Sequence, residues 1–346
     1  MRFEFYTDKL EGVPKLSVDG TVANSIHFSH WQGNETPAAL KADTSTEIAL
    51  NLVASTQRDA LTRGLELVTN NHFDTDGVLS VWTVLQGERA LTYGQRLISA
   101  AEAGDFSEWT SDDGVRASIV LQGADQPSPS ETTLSPLATQ LAGHSVTDEA
   151  KAYELVLPEV ERILTRTSDY EPLWRAAWER IEMAAESFER GLSKVEEETG
   201  VKLSIITLAT ELYGQGGFNP SQHTIPLTAI SRYAHGQLFL IALPARGGGW
   251  FYRVDYPYYS WAETVVRPRI HRRNLSSVVA ELNESETEGG AGAWRLDKNE
   301  LASAIKFLDQ SGALAVSTLA PERVAQSLRR ALLETEAQLA ETASHG

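Results

Sequence analysis

The sequence predicts an α/β protein with two lobes: an N-terminal lobe with a mainly parallel sheet flanked by helices, and a C-terminal α+β lobe. With 346 residues the chain is longer than the roughly 250–300 residues at which single cores stop growing. Its first part alternates short strand and helix patterns, which favours parallel strands. Residues 126–147 are rich in Ser, Thr and Pro, as is typical of a linker. We therefore expect domains at 1–147 and 148–346.

In the first lobe, a capping box and apolar periodicity predict the elements. Thr44 and Glu47 have the Ser/Thr-x-x-Glu spacing in which each side chain satisfies an unpaired backbone N–H, and an apolar run follows them. The run from Val78 to Leu85 is nearly all apolar, which indicates a buried helix. The predicted elements of this lobe are helices at 45–56, 78–85 and 90–103, strands at 65–68 and 116–121, and a polar loop at 70–77.

In the second lobe, glycines and apolar runs predict a β-hairpin among helices. The segment Gly247–Gly249 separates strand patterns at 238–243 and 250–254, and glycine allows the positive φ angles of a tight turn. Pro321 suits the first turn of a helix. The remaining predicted elements are helices at 149–166, 170–199, 274–284, 299–310 and 321–341 and a strand at 201–208.

Composition and charge exclude several classes of partner. The formal net charge of −17 repels polyphosphate backbones, so we expect no long nucleic acid, whereas a small phosphorylated ligand could be met by one local basic patch. No apolar run is long enough for a membrane span, so we expect no membrane partner. The start Met1-Arg2-Phe3-Glu4 lacks the features of a secretory signal, which predicts a cytoplasmic protein. The oligomeric state stays open.

The strongest chemical signal is the run His72-Phe73-Asp74-Thr75-Asp76-Gly77. Its three potential ligands alternate, so an extended backbone points all of them to one side. The chain has no cysteine, which leaves His and carboxylates as metal ligands and favours a divalent ion such as Mn or Mg. A loop that follows a parallel strand also lies where ligands bind in open α/β sheets. The alternative is a simple turn in which Asp74 or Asp76 caps a helix and His72 is a buried hydrogen-bonding residue.

The stretch from Leu65 to Leu85, with its strand, His-x-Asp-x-Asp-Gly run and apolar helix, resembles the first motif of the DHH phosphoesterase superfamily, the RecJ-like enzymes. The resemblance implies two manganese or magnesium ions and a bridging water that attacks phosphorus. It assigns the metal ligands to His72, Asp74 and Asp76, joined by a further Asp, for which Asp125 is the positional candidate and Asp105 the competitor.

The Asp-His-His triplet that names this superfamily is absent, and His144 is the lone histidine in the expected stretch. The catalytic candidates are therefore Asp76 and His144. The whole chain also resembles a bacterial family of unknown function that shares the phrases His30-Trp31-Gln32-Gly33-Asn34-Glu35-Thr36-Pro37 and Tyr259-Ser260-Trp261.

A basic and aromatic segment supplies the candidates for substrate binding. Guanidinium groups at Arg253, Arg267 and Arg269 suit phosphate because they donate paired hydrogen bonds. Trp261 could stack on a ring, and His30 lies in a polar loop that could complete the site. The alternatives are a surface cluster neutralised by nearby glutamates, aromatic residues that simply pack, and a surface turn around His30.

These features favour a metal-dependent hydrolase of a small phosphate ester or phosphodiester that uses a metal-activated water. The absent triplet supports the alternative of a catalytically inactive, DHH-like ligand-binding or interaction protein. A third possibility is metal-assisted chemistry on a substrate without phosphate. The sequence predicts no particular substrate.

Overall fold

The computed structural model describes residues 1–123, 133–214, 219, 225–286, 292–297 and 302–344. The chain forms two compact units, each described here by itself. The first comprises Met1–Glu179 and Trp261–Arg269, and the second Arg180–Ser260 and Ile270–Gly346. The boundary expected after residue 147 lies inside the first of these units. The predicted mixed α/β class is confirmed, with a parallel sheet in the first unit and a mixed sheet in the second.

The sheet of the first unit is parallel throughout its described strands, as the sequence predicts. These strands are β1 (Arg2–Phe3), β2 (Lys15–Val18), β3 (Ser25–Phe28) and β4 (Leu67–Thr69), in the order β1-β4-β2-β3. In register, Leu16 of β2 lies between Ile26 of β3 and Val68 of β4. Because all strands run the same way, the loops that follow β2, β3 and β4 emerge at one edge of the sheet.

Helices cover this sheet and build the core of the first unit. They are α1 (Ser45–Ala54), α2 (Arg58–Leu61), α3 (Thr75–Gln86), α4 (Gly94–Phe106), α5 (Asp112–Gln122), α6 (Pro136–Ala142), α7 (Glu149–Val156), α8 (Val160–Thr165) and α9 (Glu171–Glu189), which continues into the second unit. The predicted cap of α1 is present, since the Thr44 side chain accepts from the backbone N–H of Glu47. Leu79 of α3 is fully buried, as the apolar run predicts.

One element of the first unit is predicted wrongly. The run 116–121, predicted to be a strand, lies in α5. Ser111 caps this helix by accepting from the backbone N–H of Gly114, and Asp112 and Asp113 place negative charge in its first turn, where the helix dipole favours it. Residues 117–121 are all buried, so burial shows no amphipathic spacing there, and a short apolar run alone does not distinguish a helix from a buried strand.

An unusually short connection joins the parallel strands β2 and β3. Asp19 and Asn24, at its two ends, have positive φ angles of 50° and 52°. The fully buried Lys15 ties this turn to the segment before β2, because its ammonium group donates to the backbone carbonyl of Asn24 in the turn and to those of Leu10, Glu11 and Val13. Asp and Asn tolerate the left-handed conformation better than other side chains do. The turn therefore begins with Asp19, directly after β2.

The second unit is built on a mixed sheet. In the described part of the chain its strands are β5 (Lys194–Glu198), β6 (Leu203–Thr207), β7 (Leu238–Pro244), β8 (Trp250–Asp255), β9 (Ala293–Leu296) and β10 (Ser303–Leu308), in the order β5-β6-β7-β8-β10-β9. β6 and β7 are parallel, and the other neighbours are antiparallel. The helices of this unit are α10 (Leu227–Tyr233), α11 (Ser276–Ser285) and α12 (Pro321–Ser344).

The predicted hairpin is present as β7 and β8, with Gly247, Gly248 and Gly249 all at positive φ. Two predictions in this unit are wrong. The helix expected over 170–199 ends at Glu189 and is followed by β5, and the helix expected over 299–310 is replaced by β10. The charged run of β5 favours a helix locally, but pairing with β6 and packing decide its conformation. Among the described residues, no helix is long and apolar enough to cross a membrane.

Candidate metal centre

Carboxylates and imidazoles converge at the carboxyl ends of the parallel strands of the first unit. Asp19 follows β2 directly, and His30 comes two residues after β3. The loop after β4 carries the predicted run His72–Gly77, and Asp105 lies in the last turn of α4. Among the described residues, these side chains form two groups that could hold a metal ion, Asp19/His30/Asp76/Asp105 and Asp19/His72/Asp74. Within each group the ligand atoms lie within 4.8 Å of one another.

The first group surrounds the Nε2 atom of His30. This atom lies 3.1 Å from Oδ2 of Asp105, 3.5 Å from Oδ1 of Asp19 and 3.8 Å from Oδ2 of Asp76. All four side chains are buried. Three carboxylates and one imidazole around a common point are a donor set that suits a hard divalent cation.

The second group shares Asp19 with the first. Nε2 of His72 lies 3.2 Å from Oδ2 of Asp19 and 2.9 Å from Oδ2 of Asp74. The side chains of His72 and Asp74 are 23% and 21% exposed, so this group is the more accessible one. Asp19 turns one carboxylate oxygen to each group. The two groups are therefore joined by one carboxylate, and each of them could hold a metal ion.

The orientation of His30 fits a metal ligand. Its Nδ1 atom lies 2.7 Å from the backbone carbonyl of Asp43, so the ring donates from Nδ1, and Nε2 could offer a lone pair to a cation that displaces its proton. Nε2 is buried and faces the three carboxylates, with Oδ2 of Asp105 nearest at 3.1 Å. Metal-ligating histidines characteristically donate their other ring N–H to a backbone carbonyl, as Nδ1 of His30 does here.

Two of the predicted ligands also have structural hydrogen bonds. Asp74 caps α3, as its Oδ1 accepts from the backbone N–H of Gly77 at 2.7 Å. The oxygens of Asp76 accept from the backbone N–H groups of Ser45 and Thr46, both at 2.7 Å, at the start of α1. The helix-cap interpretation therefore holds for Asp74. It does not exclude metal binding, because each carboxylate oxygen has a second lone pair.

The cluster shifts the pKa values of its own members. Burial raises the pKa of Asp19 to about 7, with further contributions from the charges of Asp74 and Asp76. Burial also raises the pKa of Asp105 well above its usual value, and nearby Asp76 adds to the effect. Burial lowers the pKa of His30, but the surrounding carboxylates, Asp105 first, outweigh it and raise that pKa to about 10. These shifts favour bound protons in the cluster when no cation is present.

Asp43 links His30 to a segment from late in the sequence. Its backbone carbonyl holds His30, and its carboxylate accepts from the backbone N–H groups of residues 265–267. The Arg267 guanidinium also donates to Asp43 at 3.0 Å and to Glu102 at 2.7 Å. The Trp261 ring meets the His30 ring edge-on at 4.9 Å. The segment Trp261–Arg269, which belongs to the first unit, therefore fixes the orientation of a candidate ligand.

The remaining predicted site residues are not members of these two groups, or they lie outside the described residues. His144 is exposed in the loop after α6, with Nδ1 3.0 Å from the carbonyl of Ser145. Asp125 lies outside the described residues. Arg253 is on β8 of the second unit, with its Nε 2.9 Å from Asp255, and Arg269 is exposed at the end of the segment 261–269. The role of each in substrate binding or catalysis stays a prediction.

Sequence reasoning missed Asp19, the residue common to both groups. Its signal is present, since Leu16-Ser17-Val18-Asp19-Gly20 places an Asp-Gly pair directly after a buried strand. Of the two candidates for the additional Asp, the described cluster includes Asp105. His30, proposed for substrate binding, lies among the possible metal ligands instead.

The shifted pKa values predict how stability depends on pH without metal. Between its unfolded value near 4 and its folded value of about 7, Asp19 binds more protons in the folded state, so raising the pH lowers stability. His30 has the same sign between its unfolded value of 6.5 and about 10. One such group gives a slope of about 1.4 kcal/mol per pH unit. Urea unfolding of EDTA-treated protein across this range measures the slope, and added Mn²⁺ should flatten it. Constant or rising stability with pH would contradict the protonated cluster.

Breaking the link through Arg267 should weaken metal binding. Arg267→Gln leaves the buried Asp43 carboxylate without its guanidinium partner, so we expect a lower melting temperature and about tenfold weaker Mn²⁺ binding through a less restrained His30. Calorimetric titration of protein that is folded by circular dichroism measures the affinity. Arg162→Gln, which breaks an exposed pair with Asp169, is the matched control. Equal Mn²⁺ affinity in both variants would refute a positioning role for Arg267.

The chain can be compared with solved structures, with curated sequences and with protein families. One similar solved structure is the pGpG-specific phosphodiesterase PggH from Vibrio cholerae, with a TM-score of 0.37 and 12% sequence identity. The match covers 92% of this chain and 83% of that chain. A likeness of this extent does not bear on function. A comparison with curated protein sequences gives no match.

The profile of one protein family matches the chain over residues 1–342, which is nearly its whole length, including both candidate ligand groups and the segment Trp261–Arg269. The chain therefore belongs to the family of unknown function DUF6687.

Proposed function

We propose that this protein is a divalent-metal-dependent hydrolase that acts on a small phosphate ester or phosphodiester. The observation that carries the proposal is the placement of Asp19 between two ligand groups, with one carboxylate oxygen directed to His30 and the other to His72. Paired metal sites of this kind recur in enzymes that transfer phosphoryl groups, because two cations can stabilise both the attacking and the leaving oxygen. The predicted His-x-Asp-x-Asp-Gly run supplies three of the residues.

The residues fit Mn²⁺ or Mg²⁺ better than a softer metal. Carboxylate oxygens predominate in both groups, and each group contributes one imidazole nitrogen. Carboxylates suit Mg²⁺ and Mn²⁺, and imidazole extends the choice towards Mn²⁺. A bound divalent ion would supply Lewis acidity, lowering the pKa of water and withdrawing charge from a phosphoryl oxygen.

The chain's own residues hold and orient the centre. The backbone carbonyl of Asp43 holds Nδ1 of His30, which keeps Nε2 directed at the ligand group. Asp74, in the more exposed group, holds His72 at 2.9 Å and is positioned by the start of α3. Burial around His30 excludes bulk water, which strengthens electrostatic interactions there. The more accessible group at His72 is the side from which we expect substrate to approach.

Two tryptophans offer hydrogen-bond donors beside the centre. The indole Nε1 atoms of Trp31 and Trp261 are buried and have no hydrogen-bond partner within the part of the chain that the structure describes. The ring of Trp31 packs 5.2 Å from His72, and that of Trp261 packs 4.9 Å from His30. Arg267, in contrast, is held by acidic residues. We therefore assign the contact with substrate oxygens to the indole N–H of Trp31 in preference to Arg267.

Removing the shared carboxylate should abolish both metal binding and turnover. Asp19→Asn keeps the size of the side chain and tolerates the positive φ angle, but it removes the charge that serves both groups. We expect Mn²⁺ to raise the melting temperature of the wild type and not of this variant. Hydrolysis of bis(4-nitrophenyl) phosphate should fall by more than about 100-fold, beyond the effect of residues that only support ligands.

Asp59→Asn, which changes a carboxylate that is 93% exposed on α2, is the control and should behave as the wild type. A wild-type protein that shows no thermal shift with Mn²⁺, Mg²⁺ or Zn²⁺ would exclude the metal centre. Saturable Mn²⁺ binding without turnover of phosphate mono- or diesters would instead favour the catalytically inactive ligand-binding protein.

The indole of Trp31 should affect substrate binding more than turnover. Trp31→Phe keeps an aromatic ring against His72 and removes only the unpartnered N–H. A hydrogen bond to a charged oxygen contributes about 1.5–3 kcal/mol, so we expect KM to rise about tenfold or more with little change in kcat. Trp109→Phe is the control, because that N–H donates to Asp112 on the surface. An unchanged KM in Trp31→Phe would remove Trp31 from the substrate site.

A further inference from the structure

A cavity in the first unit is lined by basic residues that are not part of the candidate metal centre. It has a volume of about 170 Å³ and lies among α4, α5, α8 and the start of α9. Three arginines, Arg96, Arg116 and Arg166, line it together with one acidic residue, Asp113. None of its lining residues belongs to the two ligand groups. Such a concentration of positive charge is notable in a chain with a net charge of −17.

Arg116 is oriented by stacking and not by a strong ion pair. Its guanidinium lies 4.9 Å from the ring centroid of Trp174 and 4.3 Å from that of Trp178. Its nitrogens are 3.7 Å from the carboxylates of both Asp112 and Asp113, which is beyond hydrogen-bond distance. Its Nε is buried without a hydrogen-bond partner among the described residues. Two aromatic rings therefore hold a cation that retains an unsatisfied donor.

Arg96 and Arg166 leave further positive charge at the same cavity. Arg96 donates to the backbone carbonyl of Leu164 at 3.2 Å, a contact that directs the side chain without neutralising its charge. Neither Arg96 nor Arg166 forms an ion pair with any residue in the described part of the chain. Asp113 is the single carboxylate in the lining, so the three arginines give the lining residues a net positive charge.

We propose that this cavity binds a phosphate group, either as free inorganic phosphate or as the phosphate of a small monoester. Guanidinium groups present paired donors that match the oxygens of phosphate. The cavity is smaller than the roughly 300–1,000 Å³ of pockets for larger organic ligands, which favours a compact anion. A phosphate group there would balance the positive charge of Arg96, Arg116 and Arg166, all of which line the cavity. The proposal stands independently of the proposed hydrolase activity.

Phosphate titration of the full-length, metal-free protein tests the site. With EDTA present, the metal centre cannot hold phosphate through a cation. We expect inorganic phosphate to bind saturably by calorimetry and to raise the melting temperature at constant ionic strength, with chloride as the reference anion. The double variant Arg96→Gln/Arg166→Gln should bind at least about tenfold more weakly, since each lost charged hydrogen bond is worth about that factor.

The two exposed arginines are chosen because their replacement leaves the stacked Arg116 and its tryptophans intact. Arg175→Gln, on the exposed face of α9 beside Glu171 and Glu179, removes one positive charge without touching the cavity and should leave phosphate binding unchanged. A parallel titration with methyl phosphate distinguishes the two sources, and tighter binding of either one supports the site. Absence of saturable binding in the wild type, or an equal loss in Arg175→Gln and the double variant, would overturn the proposal.

Discussion

The first unit depends on how it accommodates negative charge buried at the carboxyl ends of its strands. Within the described chain, Asp19, Asp76 and Asp105 surround one imidazole nitrogen that lacks a hydrogen bond. Burying a carboxylate without compensation costs several kcal/mol or shifts its pKa until it is neutral. Protonation is indicated here by the raised pKa values of Asp19 and Asp105. A divalent cation would compensate the same charge directly, and it could bind the imidazole nitrogen of His30 as well.

The same carboxylates also hold the fold together, so the site and the scaffold are not separate. Asp76 accepts from the first backbone N–H groups of α1, and Asp74 caps α3. Asp19 accepts from the Ser45 hydroxyl at the start of α1. The helix ends are thereby fixed relative to the strands that carry the ligands. A binding site supported in this way is preorganised, which is what a metal site with demanding geometry requires.

The segment Trp261–Arg269, late in the sequence, belongs to the first unit and contacts the residues around His30. Between two stretches of the second unit, Arg180–Ser260 and Ile270–Gly346, the segment Trp261–Arg269 belongs to the first unit. Glu263 accepts from Asn34 and Lys41 and donates its own backbone N–H to the carbonyl of His30. The carboxylate of Asp43 accepts hydrogen bonds from the backbone N–H groups of residues 265–267. The segment around His30 and the segment Trp261–Arg269, far apart along the chain, therefore contact each other within the first unit.

Local patterns in the sequence determined the parts whose physics is local. The capping residue Thr44, the positive-φ glycines of the β7–β8 hairpin and the alternation of His72, Asp74 and Asp76 each act over a few residues, and each is readable before folding. Tertiary structure decided the rest. It made 116–121 a helix and 303–308 a strand, and it brought Asp19, His30 and Asp105 to the loop after β4. These outcomes depend on packing and on contacts between distant segments, which a short window of sequence does not contain.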